Sequence, residues 1–395
     1  MSLDLDRSAW RRVKFGDVVR NVNESVRDLS EAGIERVIGL DHLDPGELRI
    51  TRWGDASEET TFTRRVKPGQ VLFGKRRAYQ RKTAYADFAA VCSGDILVFE
   101  SADPNTLEPQ LLPFLAMTDS FYERALQTSA GSLSPRTKWA DLAKFEFDLP
   151  PLDQQRRIAD LLWSIEQQRE AISNLRFATT CLISCWLDRQ VKSLMSTDQS
   201  SVGNAIEKGK VRLQTGPFGT TLSASEFGRG GTPVIHPANI RDGRIHPDLD
   251  STLPDSVLPR VSKWQVVAGD VVLMRKGDVG RSALVTSDEA GWVLSSDCIS
   301  VRSLNHKELD PAFLQIMLAA PSQQLELLRR APGTTMPGIN EKSLAALLLP
   351  QVDLQAQQRV RSEFDQMKGV LGVVDHDLFE VGELLHATLA EVWNT

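Results

Sequence analysis

The residues in this 395-residue sequence whose type and spacing can do chemistry are mostly basic. Eight lysines and arginines fall between Arg64 and Lys82 (Arg64, Arg65, Lys67, Lys75, Arg76, Arg77, Arg81 and Lys82), with no acidic residue among them. The densest part, Lys75-Arg76-Arg77-Ala78-Tyr79-Gln80-Arg81-Lys82, mixes phosphate-neutralising charge with groups that address bases. Arginine suits the guanine edge, glutamine the adenine edge, and tyrosine a sugar or base face. A charge run alone is ordinarily a solvated face. A second basic turn, Arg275-Lys276-Gly277-Asp278-Val279-Gly280-Arg281, follows a strand-like run at the equivalent place in the second half, and two matching turns need a shared reason. Thr215-Gly216-Pro217-Phe218-Gly219-Thr220 adds a loop whose glycines allow close backbone approach, although a plain tight turn has the same composition. The candidate DNA-binding residues are Lys75, Arg76, Arg77, Tyr79, Gln80, Lys82, Gly216, Phe218, Arg275, Lys276 and Arg281.

Other chemistries find little support. The sequence has no GxxxxGK[ST] loop for nucleotide hydrolysis and no HExxH pair for zinc. Its one Pro-Pro pair, Pro150-Pro151, stands between leucines, whereas an amino-methyltransferase needs an Asn/Asp-Pro-Pro-aromatic motif. Cys92, Cys181, Cys185 and Cys298 lack zinc-site spacing and read as small buried packing residues. His236 and His246 have no ligand-spaced neighbours and read as ordinary polar positions. No catalytic and no metal site is therefore expected. The formal charge of −6 does not exclude a polyanionic partner, because eight acids are concentrated between Asp353 and Glu391 while phosphate responds to local clusters. No basic stretch followed by an apolar one opens the chain, and no apolar run approaches the ~18 residues that span a bilayer, so a cytoplasmic, membrane-free protein is expected.

The elements that must position these residues occur twice. Pro68-Gly69-Gln70-Val71-Leu72-Phe73-Gly74-Lys75 returns as Ala268-Gly269-Asp270-Val271-Val272-Leu273-Met274-Arg275, an offset of 200. The same offset relates Leu149-Pro150-Pro151-Leu152-Asp153 to Leu349-Pro350-Gln351-Val352-Asp353. Between these anchors each half has a strand-like stretch (Ala89–Glu100; Gly291–Ser303) and a helical one (Pro113–Gln127; Pro311–Arg329). A glycine/hydroxyl loop follows, Ser129-Ala130-Gly131-Ser132 or Pro332-Gly333-Thr334-Thr335. Asp153 and Asp353 read as N-caps of two long helices, each about 55–60 Å at 1.5 Å per residue. The first, from about Gln154 to Lys192, has a heptad seam at Ile158, Leu161, Ile165, Ile172, Leu175, Leu182 and Trp186. The second has Val360, Phe364, Met367, Leu371, Val374, Leu378, Val381, Leu385, Thr388 and Val392. Neither seam is satisfied alone in water, so the two should pair within the chain, homodimerisation being the alternative. The fold class expected is α+β: two tandem α/β domains (1–150 and 195–350) and two long helices (151–194 and 351–395) packed as an antiparallel coiled coil, with an internal pseudo-twofold repeat. Ser193–Ser201 reads as the linker into the second half.

These features resemble the specificity subunits of type I restriction–modification systems over nearly the whole chain. The stretches that carry the resemblance are Val37–Gly46, Pro68–Lys75 and Leu149–Ile158, then Thr215–Thr220, Thr232–Ile235 with Asn239–Ile245, and Gly269–Arg281. One departure is Leu354-Gln355-Ala356-Gln357-Gln358-Arg359, two residues longer than its counterpart at Gln154-Gln155-Arg156-Arg157, which shifts the helix register. The resemblance implies two target-recognition domains, each reading half of a split site in double-stranded DNA, with the helices setting the gap. It implies docking of two methyltransferase (modification) subunits that methylate adenine, and of restriction (translocase–nuclease) subunits. S-adenosylmethionine, ATP and Mg would belong to those partners and no cofactor to this chain, which would supply specificity without chemistry. A single-chain nuclease or methyltransferase with an unrecognised site, and a coiled-coil scaffold without a DNA role, are the rival readings.

Overall fold

The computed structural model describes residues 5–58, 60–196, 198–218, 221–332 and 338–393. The chain forms two compact units, Met1–Ser173 with His376–Thr395, and Asn174–Asp375.

In the first unit, strands Val19–Val22, Ile96–Ser101, Val71–Gly74 and Thr83–Tyr85 form an antiparallel sheet in that order. A second sheet has the order Gly54–Asp55, Arg36–Ile38, Ala90–Cys92, Arg64–Val66, its middle pair parallel. Apolar side chains drive both. Val71, Leu72 and Phe73 are buried on both faces, as a strand covered on two sides must be. Phe73 and Phe99 stack at 5.8 Å, and Phe121 from helix Asp119–Gln127 meets Phe73 edge-on at 5.3 Å. Such aromatic pairs add specificity to the area they bury.

The second unit repeats this plan internally. Strands Val211–Thr215, Cys298–Ser303, Asp270–Met274 and Ser282–Leu284 take the same order, and Thr232–Ile235 pairs in parallel with Val293–Leu294. Ile96–Ser101 and Cys298–Ser303 share one pattern, four buried positions, one half-buried, one buried. Ser101 donates to the Leu107 carbonyl and Ser303 to the Leu309 carbonyl, both at 2.7 Å.

The two long helices are Leu152–Met195 and Leu354–Trp393. Each unit holds part of both. In the first, Ile158, Leu162 and Ile165 share a core with Val381, Leu385, Leu389 and Val392. In the second, Ile183, Leu187 and Val191 share one with Val360 and Leu371, and Trp186 stacks on Phe364 at 6.3 Å. The start of one helix thus meets the end of the other in each unit, which is antiparallel pairing. Of Ser193–Ser201, Ser193–Met195 complete the first helix and Gln199–Ser201 pair with Leu348–Pro350.

The seam expected for the second helix is the one buried or half-buried. That of the first drifts: Leu161, Leu175 and Leu182 are 37%, 54% and 69% exposed, and Leu162, Ile183, Leu187 and Val191 are buried in their place. From Ile165 to Ile183 is 18 residues, five turns at 3.6 per turn, whereas a 3.5-residue repeat slips by about 20° per heptad. The buried face follows the straight helix. Asp153 lies inside the first turn, since that helix begins at Leu152, so its cap assignment is corrected; Asp353 does cap, accepting from the Ala356 N–H at 2.7 Å. Cys181 and Cys185 are exposed, contrary to the packing role expected of them; Cys92 and Cys298 are buried, and burial pushes both thiols up to about 12.

Each head is fastened to its helix by one buried glutamine. Gln155 accepts from the Glu108 N–H at 2.8 Å and donates to the carbonyls of Thr106 (3.0 Å) and Pro150 (2.8 Å). Gln357 accepts from the Asp310 N–H at 2.8 Å and donates to Glu308 (2.8 Å) and Val352 (3.0 Å). All four correspondences carry an offset of 202, as do strands Ile96–Ser101 and Cys298–Ser303, whereas Gly74 and Met274 differ by 200; the two extra residues therefore lie between Met274 and Cys298, and the lengthening expected at Leu354–Arg359 is corrected. An ion-pair cluster adds to the first unit's fastening: Arg169 bridges buried Glu166 (2.9 Å) and Glu47 (2.7 Å), and Arg49 meets Glu170 at 2.8 Å.

Gln155→Ala and Gln357→Ala each strand three buried backbone groups, which costs about 1–3 kcal/mol per variant or more. Amide hydrogen exchange should show faster opening of residues 106–108 in the first variant and 308–310 in the second. Unchanged protection in both would show that water replaces the side chain without loss.

Candidate nucleic-acid interface

Two loops build the basic surface of the first unit. Strand Val71–Gly74 runs into the turn Lys75–Lys82, whose centre is a short 3-10 helix, Ala78–Gln80. Loop Gly131–Pro135 lies beside it, fixed by Arg77 N–H to the Pro135 carbonyl (2.7 Å), Thr137 N–H to the Lys75 carbonyl (3.0 Å) and Arg76 Nη2 to Ser134 Oγ (2.9 Å).

Three cations, Arg136, Arg76 and Lys75, converge there on the carboxylate of Asp95. Arg136 binds Asp95 through two nitrogens at 2.8 and 3.2 Å, and Arg76 approaches the same group at 3.4 Å. Lys75 is half-buried; burial, then Arg64 and Arg136, holds its ammonium below the ordinary lysine value against the opposing pull of Asp95. The hydrogen bond from Arg136, then the charges of Arg136, Arg76 and Lys75, hold Asp95 below the usual carboxylate range against its partial burial. A depressed carboxylate stabilises the fold above its unfolded pKa and loses that contribution only as pH falls through the folded value. The cluster therefore stays assembled at neutral pH.

Arg77 pairs with no carboxylate among the described residues, and its buried Nε, like that of Arg76, has no hydrogen-bond partner. It also sits in the left-handed region, φ 54° and ψ 54°, as does Arg81 at φ 52° and ψ 48°. A non-glycine residue there costs roughly 1–2 kcal/mol. Arg81 is held by an ion pair to Asp119 and lies 4.8 Å from the Tyr122 ring centre. Lys82 donates to the Leu40 carbonyl at 2.6 Å. Tyr79 points outward, 58% exposed, and Gln80 is half-buried.

In the second unit the corresponding turn has glycine at both left-handed positions, Gly277 (φ 79°) and Gly280 (φ 86°). Lys276 pairs with Asp297 at 3.0 Å, and Arg281 pairs with Asp278 (Nε, 2.7 Å) and reaches the Ile240 carbonyl at 3.3 Å. Arg275 donates to the carbonyls of Ile339 (3.0 Å) and Ser296 (2.8 Å) and lies 5.8 Å from the ring centre of exposed Phe218. Replacing Arg275 therefore unties backbone as well as removing charge. Gly216 is tight for an internal reason, since a Cβ there would stand 2.0 Å from the Ser295 carbonyl oxygen. Gly219, Thr220 and Gly333-Thr334-Thr335 lie outside the described residues.

The structure thus brings Lys75, Arg76, Arg77, Tyr79, Gln80 and Lys82 onto one turn, and Phe218 onto Arg275 beside Lys276. Sequence reasoning missed Arg136, Asp95 and Ser134. The repeated glycine/hydroxyl loop was the available signal for the last of these, but nothing in it told that the loop is bonded to the basic turn. Among the described residues, no group of three metal-ligating side chains occurs and no helix is long and apolar enough to cross a membrane. His236 bonds Ser251 at 3.0 Å, an ordinary polar role.

Residues 48–176 and 218–368 match the family described as type I restriction modification DNA specificity domain. The type I restriction enzyme MjaVIII specificity subunit of Methanocaldococcus jannaschii is 22% identical over 244 residues, a match covering 57% of this chain and 56% of that protein. The chain therefore matches about half the length of that relative. Two solved structures share the fold. One comes from work on complex assembly and conformational transition of the type I R-M system (TM-score 0.58, 18% identity, 98% of this chain and 97% of that one). The other is the type I restriction-modification S subunit from M. genitalium (TM-score 0.54, 14% identity, 99% and 98%).

Arg77→Gly separates charge from fold. Relief of the left-handed backbone offsets the added flexibility of glycine, so stability should hold within about 1 kcal/mol. Removing one phosphate contact should flatten the dependence of log affinity on log salt by about 0.9. Thermal melting and DNA titrations at several salt concentrations check both halves.

Proposed function

From the premise that the chain belongs to the type I restriction–modification DNA specificity family, we propose that it reads a two-part site in double-stranded DNA, one part with each unit. The observation that supports this reading most is the duplicated turn: one backbone plan, placed at the end of the same strand in each unit, carries Lys75-Arg76-Arg77 in one and Arg275-Lys276-Gly277 in the other. A shared frame with unlike side chains suits two readings of two sequences. Basic residues supply salt-dependent phosphate affinity, and a few side chains each add about 1–3 kcal/mol of base discrimination. Burial and the neighbouring charges of Arg64 and Arg136 disfavour the Lys75 ammonium, and a phosphate there would relieve that repulsion.

The chain itself carries no chemistry in this reading. Two methyltransferase subunits dock on the long helices and bring S-adenosylmethionine to adenine; restriction subunits bring ATP and Mg; the assembly works in the cytoplasm. Exposed apolar side chains on the helices fit that docking. Leu175, Phe177 and Leu182 lie on the first, and Val370, Val373, Phe379 and Leu384 on the second. Asp377, Glu380 and Glu383 stand among the last of these, a surface that favours a basic, apolar partner.

The helices also fix the gap between the two half-sites. Inserting seven residues after Ser173 and seven after Asp375 turns each apolar face by only about 20° and adds about 10 Å to the pair, equal to about three base pairs. Methylation mapping of DNA from cells carrying the complete system should return the same two half-sites with the gap longer by that amount. An unchanged gap in an active complex would remove the spacing role. The purified chain, given DNA, Mg and S-adenosylmethionine without partners, should transfer no methyl group.

A further inference from the structure

Leu133 is 90% exposed, at the tip of loop Gly131–Pro135 beside the basic turn. Isolated exposed leucines are ordinary. This one is held in place on several sides. Ala130 and Arg136 exchange backbone hydrogen bonds at 3.1 and 3.0 Å, closing the loop at its base, with Gly131 at φ 116° making the bend. On its far side the loop is stapled to the turn through Ser134 and Pro135, which accept from Arg76 Nη2 and the Arg77 N–H at 2.9 and 2.7 Å. Arg136, the next residue, is fixed on Asp95. The leucine is thus presented on a braced loop, beside an excess of positive charge that selects a polyanion.

A DNA duplex offers few apolar features to such a side chain. At the base edges the one that distinguishes sequence is the C5-methyl group of thymine, exposed in the major groove. We propose that Leu133 is a specificity-determining residue that packs on a thymine methyl in the half-site read by the first unit, while Lys75, Arg76 and Arg77 hold the flanking phosphates. Rigid presentation lets the contact form without ordering a loop at the moment of binding. This inference rests on the DNA-reading role argued above, and it names the base feature that one residue reads.

The experiment uses the full chain assembled with its modification subunits and the mapped recognition site. Each thymine of the first half-site is replaced in turn by uracil, which removes only the methyl group, and affinity is measured for the native complex and for Leu133→Ala. Native affinity should fall about fourfold at one position, the worth of one buried methyl group. Leu133→Ala should show the same loss on unmodified DNA and no further loss with uracil at that position. Identical uracil profiles for the two complexes, or unstacking of a base step by Leu133 reported by 2-aminopurine fluorescence, would overturn the methyl contact. The underlying reading is judged separately: if the native complex prefers its mapped site and Arg77→Gly weakens it, DNA reading stands whatever Leu133 does. Leu133→Ser, more soluble at an exposed position, controls for any loss of fold.

Discussion

One glutamine at the start of each long helix sets the relation between that helix and the strands and loops of its own unit. Gln155 and Gln357 are almost wholly buried, and each spends its full amide on three backbone groups drawn from the head, the helix entrance and the turn between them. A buried amide bonded on all sides is directional in a way that leucine packing is not. Apolar contacts between the helices tolerate a small rotation; three hydrogen bonds near 2.8–3.0 Å do not.

What surrounds the clamp differs between the units. In the first, helix residue Glu166 is buried against Arg169, which reaches Glu47 beyond the Pro45-Gly46 turn. At the same offset of 202 the second helix has Lys368, which donates at 3.4 Å to the Asp242 carbonyl in the corresponding Asp242-Gly243 turn. The backbone meeting is the same and the chemistry is not. Side chains that tie backbone at the root of each unit, Gln155 and Gln357 or Ser101 and Ser303, are alike in both halves, while side chains that meet at this turn differ.

The sequence disclosed some of these features and hid others. The repeat, the second helix seam and the strand preceding each basic turn were legible because they rest on apolar periodicity and glycine placement, and Gly69 and Gly269 indeed share left-handed φ values of 89° and 92°. The glutamine clamps were not legible: glutamine on a helix reads as surface, and the change of offset from 200 to 202 hid their equivalence. The first helix misled because leucine is also common at exposed positions, so Leu161, Leu175 and Leu182 offered a plausible 3.5-residue seam beside the true 3.6-residue face. Arg136 and Asp95 were invisible as partners, being 41 residues apart and joined only by folding.

The left-handed positions of the two turns show how recognition diverges on a fixed frame. Glycine at 277 and 280 satisfies the backbone without strain; arginine at 77 and 81 does not. Arg81 recovers part of that cost through Asp119, and Asp119 in turn meets His386 of the second long helix at 3.3 Å, so that residue belongs to the framework. Arg77 recovers it through the backbone: its N–H donates to the Pro135 carbonyl at 2.7 Å and its carbonyl accepts from the Gln80 N–H at 2.8 Å. Its side chain takes no part in those bonds and pairs with no carboxylate among the described residues. Here the local field is strongly positive and the nitrogen is already desolvated, so an anionic oxygen gains more from Arg77 than from a solvated surface arginine. The first unit places a guanidinium at the left-handed position where its twin has Gly277, so the side chains at this turn differ between the two units.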